Sequence, residues 1–143
     1  KLCLELYSSA AEMENLASNY DRCDMLVDEI LSHAESIEDS FRAYKTRAGT
    51  LMDRRRLNEC VDLSLNVLEM LGEKIPRKAR LWHIIGAVSR VNKLLRDKTD
   101  EDLSSLPPMT NQKKLFALML LEHASNAIFF LKERQMLTPI LFA

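Results

Sequence analysis

The sequence predicts an all-α fold built from stacked antiparallel helix pairs. Three observations lead to this expectation. The 143 residues include only 3 Gly and 4 Pro, whereas sheet proteins need turn residues at short intervals. Apolar residues recur at spacings of three and four along most of the chain, as they do on one face of a helix. The first half of the chain also contains the same helix pair twice, with an offset of 37 residues.

The first two helical segments are predicted to form a helix pair. Residues 2–17 carry apolar side chains at helical spacing, and the sequence NYDR then interrupts the pattern. Helical spacing resumes in the second segment, whose apolar positions are Cys23, Leu26, Val27, Ile30 and Leu31.

The third and fourth segments form the second predicted pair. Ser36 followed by Asp39 has the spacing of a capping box, so the third helix is expected to begin at Ser36. The sequence DRRR forms a turn, and the fourth helix then extends to Leu71. Gly72 is predicted to end that helix in a left-handed cap, and Pro76 prevents its continuation.

The two pairs align when the chain is shifted by 37 residues. Tyr7 then coincides with Tyr44, Ala11 with Ala48, and Cys23 with Cys60. The repeat length is close to that of the tetratricopeptide repeat, which also consists of two helices per unit. By this resemblance we expect a tetratricopeptide-like α-α superhelix of antiparallel helix pairs, with units at about 2–35 and 36–72.

A third, irregular pair is predicted over residues 78–130. It consists of an amphipathic helix at 78–97, a connector containing Pro107 and Pro108, and a long apolar helix at 111–130. In the connector, Thr99 and Asp102 are expected to cap a short helix whose Leu103 and Leu106 point inward, and Thr110 to cap the long helix. The start of a further helix is predicted at 134–143. We expect the chain to be a segment of a longer protein.

Charge is distributed unevenly along the chain. Residues 1–40 have a net charge of −8, residues 41–98 a net charge of +8, and the whole chain a net charge of −1. A basic middle segment is one feature of nucleic-acid-binding proteins. The interpretation we favour is electrostatic complementarity between the acidic and basic parts of the protein or with a neighbouring domain, so no nucleic acid is expected as a partner.

No catalytic chemistry is predicted. The three glycines are too few and too far apart for a phosphate-binding loop. His33, His83 and His123 lack second ligands at helical spacing, so neither a metal nor a cofactor is expected. Cys3, Cys23 and Cys60 are interpreted as buried thiols of a cytoplasmic protein. No apolar run reaches the roughly 18 residues of a membrane span.

A second resemblance covers nearly the whole chain. It is carried by the sequences VLEMLGEKIPRK, LLRDKTDEDLSSLPPMTNQKKLFALMLL and NAIFFLKERQMLTPIL. These look like the helical region that follows the AAA/STAND-type ATPase module of large signalling kinases, in which GAF or PAS sensors and a histidine kinase often come next. The residues that match the family pattern are Leu71–Gly72, Pro76, Glu101–Leu103, Leu106–Pro107 and Met109–Thr110, whereas Pro108 replaces an acidic residue.

The two resemblances imply an interaction role. The leading hypothesis is a non-catalytic interaction and linker module of such a signalling ATPase/kinase, positioning neighbouring domains and self-associating through its apolar C-terminal end. The alternative is a stand-alone adaptor that binds a charged peptide in a concave groove, and a small helical enzyme is a weaker third. By the tetratricopeptide resemblance, the groove-lining residues would be Glu5, Ser8, Glu12, Arg42, Lys45 and Met52.

Overall fold

The computed structural model describes residues 2–76 and 81–131, apart from the side chains of Leu81, His83 and Ile84. Within these ranges the chain forms helices and no strand, which confirms the all-α prediction. The helices are α1 (Leu2–Leu16), α2 (Tyr20–His33), α3 (Phe41–Asp53), α4 (Leu57–Met70), α5 (Leu81–Leu95), α6 (Asp100–Ser104) and α7 (Gln112–Leu131). The predicted helix at 134–143 and the apolar C-terminal end lie outside the described residues.

The sequence repeat has a counterpart in the backbone. Both ends of α2 and α4 are 37 residues apart. The two turns that precede these helices also match, because Ser18 and Arg55 adopt left-handed conformations with φ of 60° and 59°. Residues other than glycine rarely adopt this conformation. Its recurrence at the same offset shows that the two turns are built in the same way.

Five of the helices form one packed body. α1 packs against α2 and α3, and α3 packs against α4 and α7, while α2 contacts α3 and α4 contacts α7; the most extensive interfaces are those of α4 with α7 and of α1 with α2. α7 therefore has the same set of neighbours in the second pair that α3 has in the first. The predicted third pair consists of the segments that form α5 and α7. Among the described residues, α7 packs on the second pair, and α5 packs extensively on no other helix.

Small buried residues allow the close approach of these helices. Ala11 and Ala48 are 0% exposed at equivalent positions of α1 and α3, and Ala124 is likewise fully buried in α7. Cys23 and Cys60 are fully buried at equivalent positions of α2 and α4. Larger apolar side chains fill the space around them, including a stacked pair of Phe41 and Phe116 whose ring centroids are 4.1 Å apart.

The equivalence is less complete for the two tyrosines. Tyr44 is partly buried against the core that α3 and α4 form with α7, whereas Tyr7 is exposed. Cys3 is also exposed, so the prediction that all three thiols are buried was wrong for this one. Both residues lie in the first two turns of α1, where side chains are mostly exposed.

Two helix starts differ from the prediction. Ser36 and Asp39 do interact, with the hydroxyl donating to the carboxylate at 2.7 Å, but they form a turn and α3 begins only at Phe41. At α7 the cap is Asn111 rather than Thr110, because the Asn111 side-chain oxygen accepts a hydrogen bond from the Lys114 N–H at 3.1 Å.

Two predicted caps are confirmed. Gly72 has a φ of 90°, and the Glu73 N–H returns to the Leu68 carbonyl at 2.9 Å, so α4 ends in a left-handed cap. Thr99 and Asp102 form a reciprocal capping box at the start of α6. The expectation that Leu103 and Leu106 point inward was wrong, since both are exposed.

α5 and α6 form an excursion between α4 and α7. Neither helix packs extensively on another element. The connection from α4 to α7 spans residues 71–111, whereas only residues 34–40 separate α2 from α3. Among the described helices, α7 has the length and apolar composition of a membrane span, as core helices also can, and seven of its residues are buried.

Candidate interaction surfaces

A cleft of about 280 Å³ lies where α1, α3 and α7 meet. Its lining is mostly apolar surface, with one acidic, one basic and one imidazole side chain among the contributing residues. These are Glu12, Asn15, Leu16, Lys45, Thr46, Gly49 and His123. α1 belongs to the first pair and α3 to the second, and α7 is the helix that packs on the second pair. The cleft therefore forms only when these units stack on one another.

Glu12 and Lys45, both predicted to line a groove, lie in this cleft. Ser8 does not, since it is buried, with 4% of its surface exposed. Met52 is half-buried against the core that contains α7. The two remaining predicted residues, Glu5 and Arg42, belong to an ion-pair network beside the cleft.

Arg42 holds this network together. Its Nε and Nη2 atoms donate to the two carboxylate oxygens of Glu12 at 3.1 and 2.9 Å, and its Nη1 atom donates to Glu5 at 2.6 Å. Nη2 also reaches the Ser9 hydroxyl at 3.3 Å. Hydrogen bonding to Glu12 raises the pKa of the Arg42 guanidinium. The charges of three predicted groove residues, Glu5, Glu12 and Arg42, are therefore paired within the protein, and Lys45 remains as the exposed cation.

Two further arginines of the basic middle segment pair with α2. Arg47 donates to Asp28 at 2.6 Å, and Arg54 donates to Asp24 at 2.9 Å. The Arg54 guanidinium also lies 5.6 Å from the centre of the Tyr20 ring, within the range of a cation–π contact. These contacts support our interpretation of the charge distribution, since α3 and the turn after it use their cations to hold the acidic first pair.

Two cleft residues that were not predicted could have been identified from the 37-residue repeat. Asn15 lies 37 residues before Met52, and Gly49 lies 37 residues after Glu12. Applying the repeat offset to the predicted positions would have identified both. His123 had no such signal, because the position of α7 beside α3 does not follow from the 37-residue period.

The two buried thiols and His123 have surroundings that the structure describes. Burial raises the pKa of Cys60 to about 11, and burial also raises that of Cys23. Both thiols are therefore protonated and poorly nucleophilic at neutral pH. His123 donates through Nδ1 to the Met119 carbonyl at 2.9 Å. Within residues 2–76 and 81–131, no group of acidic, His and Cys side chains is arranged to hold a metal ion.

Exposed apolar side chains share a face on α1, α5 and α7 of the described part of the chain, and on α1 they are Leu2, Leu6, Met13 and Leu16. On α7, Leu115, Leu118 and Phe129 lie on one exposed face, on which the exposed Glu122 separates Leu118 from Phe129. On α5, the exposed apolar residues are Trp82, Ile85, Val88, Val91, Leu94 and Leu95. Contiguous exposed apolar patches mark interaction sites on soluble proteins. Comparison of the chain with protein-family models, curated proteins and solved structures found no match in any of the three.

Proposed function

We propose that this chain is a non-catalytic protein-interaction and linker module, a tetratricopeptide-like stack of helix pairs that positions neighbouring domains. The observation that supports the proposal is that α7 contacts both helices of the second pair, as α3 contacts both helices of the first. Such a stack has no intrinsic end, because each unit offers a face to the next. The exposed residues Leu115, Leu118 and Phe129 of α7 lie on the face that a following helix would cover, and the exposed Glu122 lies among them.

The parent protein we propose is a large cytoplasmic signalling ATPase/kinase. This part rests on the resemblance of the segment from Leu71 to Thr110 to the region behind an ATPase module. The role of the chain in that setting is mechanical. Stacked pairs would hold the flanking domains at a fixed spacing and transmit changes in their relative position through the packed helices.

The open face of α7 provides the test of this proposal. Replacing Phe129 with Asp should weaken binding of the chain to the segment that follows it in the parent protein, measured by titration calorimetry with the two parts produced separately. Met25→Asp is the matched control, because Met25 is an equally exposed apolar residue on α2. Equal affinities of the two variants, or turnover of nucleotide by the chain alone, would contradict the proposal.

A second candidate function is a stand-alone adaptor for a charged peptide. The cleft between α1, α3 and α7 favours it, because an exposed cation and an apolar lining suit an acidic peptide with an apolar side chain. Lys45→Glu should abolish saturable binding of acidic peptides while leaving the fold intact, whereas Arg55→Glu in the exposed turn should not. Absence of any saturable binding by the wild-type chain would exclude this candidate.

A further inference from the structure

The exposed apolar face of α1 has a buried counterpart on α3. The exposed positions of α1 and their buried equivalents 37 residues later are Leu6 and Ala43, Ser9 and Thr46, and Met13 and Thr50. Leu6 and Met13 are 63% and 68% exposed, whereas Ala43 and Thr50 are each 1% exposed. The same face is therefore covered on α3 and open on α1.

The first helix pair covers this face of α3. Ala43 packs in one cluster with Ala11 of α1 and Cys23 of α2. The Thr50 hydroxyl lies 2.7 Å from the side-chain oxygen of Asn15 in α1 and 3.5 Å from the Cys23 thiol in α2. α7 likewise contacts both α3 and α4. Of these three helices, α1 is the one that packs on no preceding pair within the described residues.

We infer that α1 is the docking face for a further helix pair, which precedes it in the parent protein and stacks on α1 as the first pair stacks on α3. Leu6 and Met13 lie at the centre of the interface, because their equivalents on α3 are buried against the first pair. The inference rests on the proposed function, since it continues the same stack at the α1 end.

The side chains of α1 define the chemistry of this partner. Arg42 and Arg47 of α3 pair with carboxylates of α1 and α2. The equivalent residues of α1 are Glu5 and Ala10. A carboxylate at the same place in a preceding pair would therefore meet Glu5 instead of a cation, and like charges side by side are unfavourable. The docking pair is apolar opposite Met13 and is neutral or basic where the first pair is acidic.

A second copy of the chain does not offer such a pair among its described residues. The surface by which the first pair covers the next helix is occupied by α3, and the corresponding surface of the second pair is occupied by α7. The first pair is also too acidic for the place beside Glu5, as shown above. The continuity of the stack therefore favours a further pair of the parent protein.

Cysteine protection tests the inference. In a Cys3→Ser background, Leu6→Cys introduces a thiol that should react rapidly with Ellman's reagent in the 143-residue chain, because this position is exposed. In a chain extended by the preceding residues of the parent protein, about 40 in number to include one pair, that thiol should react about tenfold more slowly or less, because buried thiols are inert. Any cysteine of the extension is replaced by Ser.

Met25→Cys in the same background is the matched control, because Met25 is an equally exposed apolar residue on α2. Its thiol should react equally fast in the two chains. Equal rates for Leu6→Cys in the two chains would overturn the inference. A parent protein that begins less than one helix pair before α1 would overturn it as well.

Met13→Asp shows whether the protection arises at this face. In the extended chain it should restore the fast reaction of the thiol introduced by Leu6→Cys, because it places a carboxylate in the apolar contact. In the 143-residue chain its urea midpoint should be close to that of Met25→Asp, since both side chains are exposed. Met25→Asp should leave the protection intact. Protection that survives Met13→Asp would overturn the inference.

Sedimentation equilibrium tests a second copy as the occupant. The 143-residue chain, with a monomer mass of 16.5 kDa, should form no dimer that depends on Met13. A dimer that Met13→Asp abolishes and Phe129→Asp leaves intact would assign this face of α1 to a second copy and overturn the inference.

Failure of this inference is distinguishable from failure of the proposed function, because the two tests use different helices. If the following segment binds α7 and the thiol of Leu6→Cys stays reactive in the extended chain, the inference fails alone. If that thiol is protected and the following segment does not bind, the proposed continuation at α7 fails and the inference stands.

Discussion

At the scale of single residues, Arg42 provides the main polar contact between the two helix pairs. One guanidinium satisfies both oxygens of Glu12 and also reaches Glu5 and Ser9. A bidentate pair fixes geometry better than a single contact. Its energy remains modest, because the Arg42 and Glu12 side chains are still about two-fifths exposed.

We expect Arg42→Ala to lower the free energy of unfolding by about 1 kcal/mol, the upper end for exposed ion pairs. Lys45→Ala is the control, since Lys45 is also exposed on α3 and should change stability by less than about 0.5 kcal/mol. Urea denaturation at low and high salt measures both. The difference between the variants should shrink at 1 M salt, where charges are screened beyond about 3 Å. If the difference in stability between the two variants is the same at low and high salt, Arg42 stabilises the protein by packing and not by its charge.

The three thiols should differ in reactivity. Cys3 is exposed and should react with a thiol reagent in the native protein, whereas Cys23 and Cys60 should react only after unfolding. The measurement is a timed reaction with Ellman's reagent, with and without urea. The Cys3→Ser variant should lose the fast phase and keep the slow one. A second fast thiol in the native protein would contradict the burial of α2 or α4.

Burial of Cys60 also predicts a dependence of stability on pH. Its pKa is raised to about 11 from an ordinary value of 9.0, so the folded state holds a proton that the unfolded state releases. The stabilising contribution is complete below pH 9 and is lost as the pH rises through 11. Cys60→Ala should show a shallower decline of unfolding free energy over this range. If the unfolding free energies of the wild type and of Cys60→Ala fall equally steeply with pH, Cys60 is not the group responsible.

At the scale of elements, the crossing of helices depends on small residues at repeated positions. Ala11 and Ala48 have no exposed surface, while the adjacent Ala10 is exposed. Ala11→Leu should therefore cost about 1–3 kcal/mol through overpacking, whereas Ala10→Leu should stay within about 0.5 kcal/mol. Thermal or urea unfolding followed by circular dichroism distinguishes the two variants. Similar losses for both would show that α1 packs in a different register.

The helices show what could be predicted from the sequence. The period of 37 residues located the first four helices, and Gly72 and the Thr99–Asp102 pair marked ends that the structure confirms. Predictions from local sequence patterns were wrong where contacts with distant parts of the chain determine the structure. Ser36 and Asp39 make the predicted bond, but the chain continues as a turn to Phe41. Likewise, an amphipathic pattern indicates an apolar face without indicating what covers it, as Leu103 and Leu106 show.

The candidate site was predictable only in part, for the same reason. Glu12 and Lys45 were predicted from the resemblance to tetratricopeptide repeats, but the pairing of Arg42 with Glu5 and Glu12 requires the relative placement of α1 and α3. The contribution of His123 requires the docking of α7. Sequence patterns specify which face of a helix is apolar. They do not specify which distant helix meets it.

At the scale of the whole molecule, the excursion of α5 and α6 should be dispensable for stability. Replacing residues 77–110 with a Gly/Ser linker of about ten residues should change the free energy of unfolding by no more than about 1 kcal/mol, since the shorter loop has a slightly lower closure cost. Truncation after Asn111, which removes α7, should instead expose the core of α4 and lower stability severely. Urea midpoints measure both changes. A large loss on removing the excursion would mean that α5 supports the body.

The separation of α4 from α7 along the chain has a kinetic consequence. Contacts among α1, α2, α3 and α4 join neighbours in sequence and close quickly, whereas α7 must return across the 41 residues numbered 71–111. Closing a longer loop costs more entropy before any contact repays it. The first two pairs should therefore assemble early and serve as a template, and α7 should be the last helix of the packed body to dock.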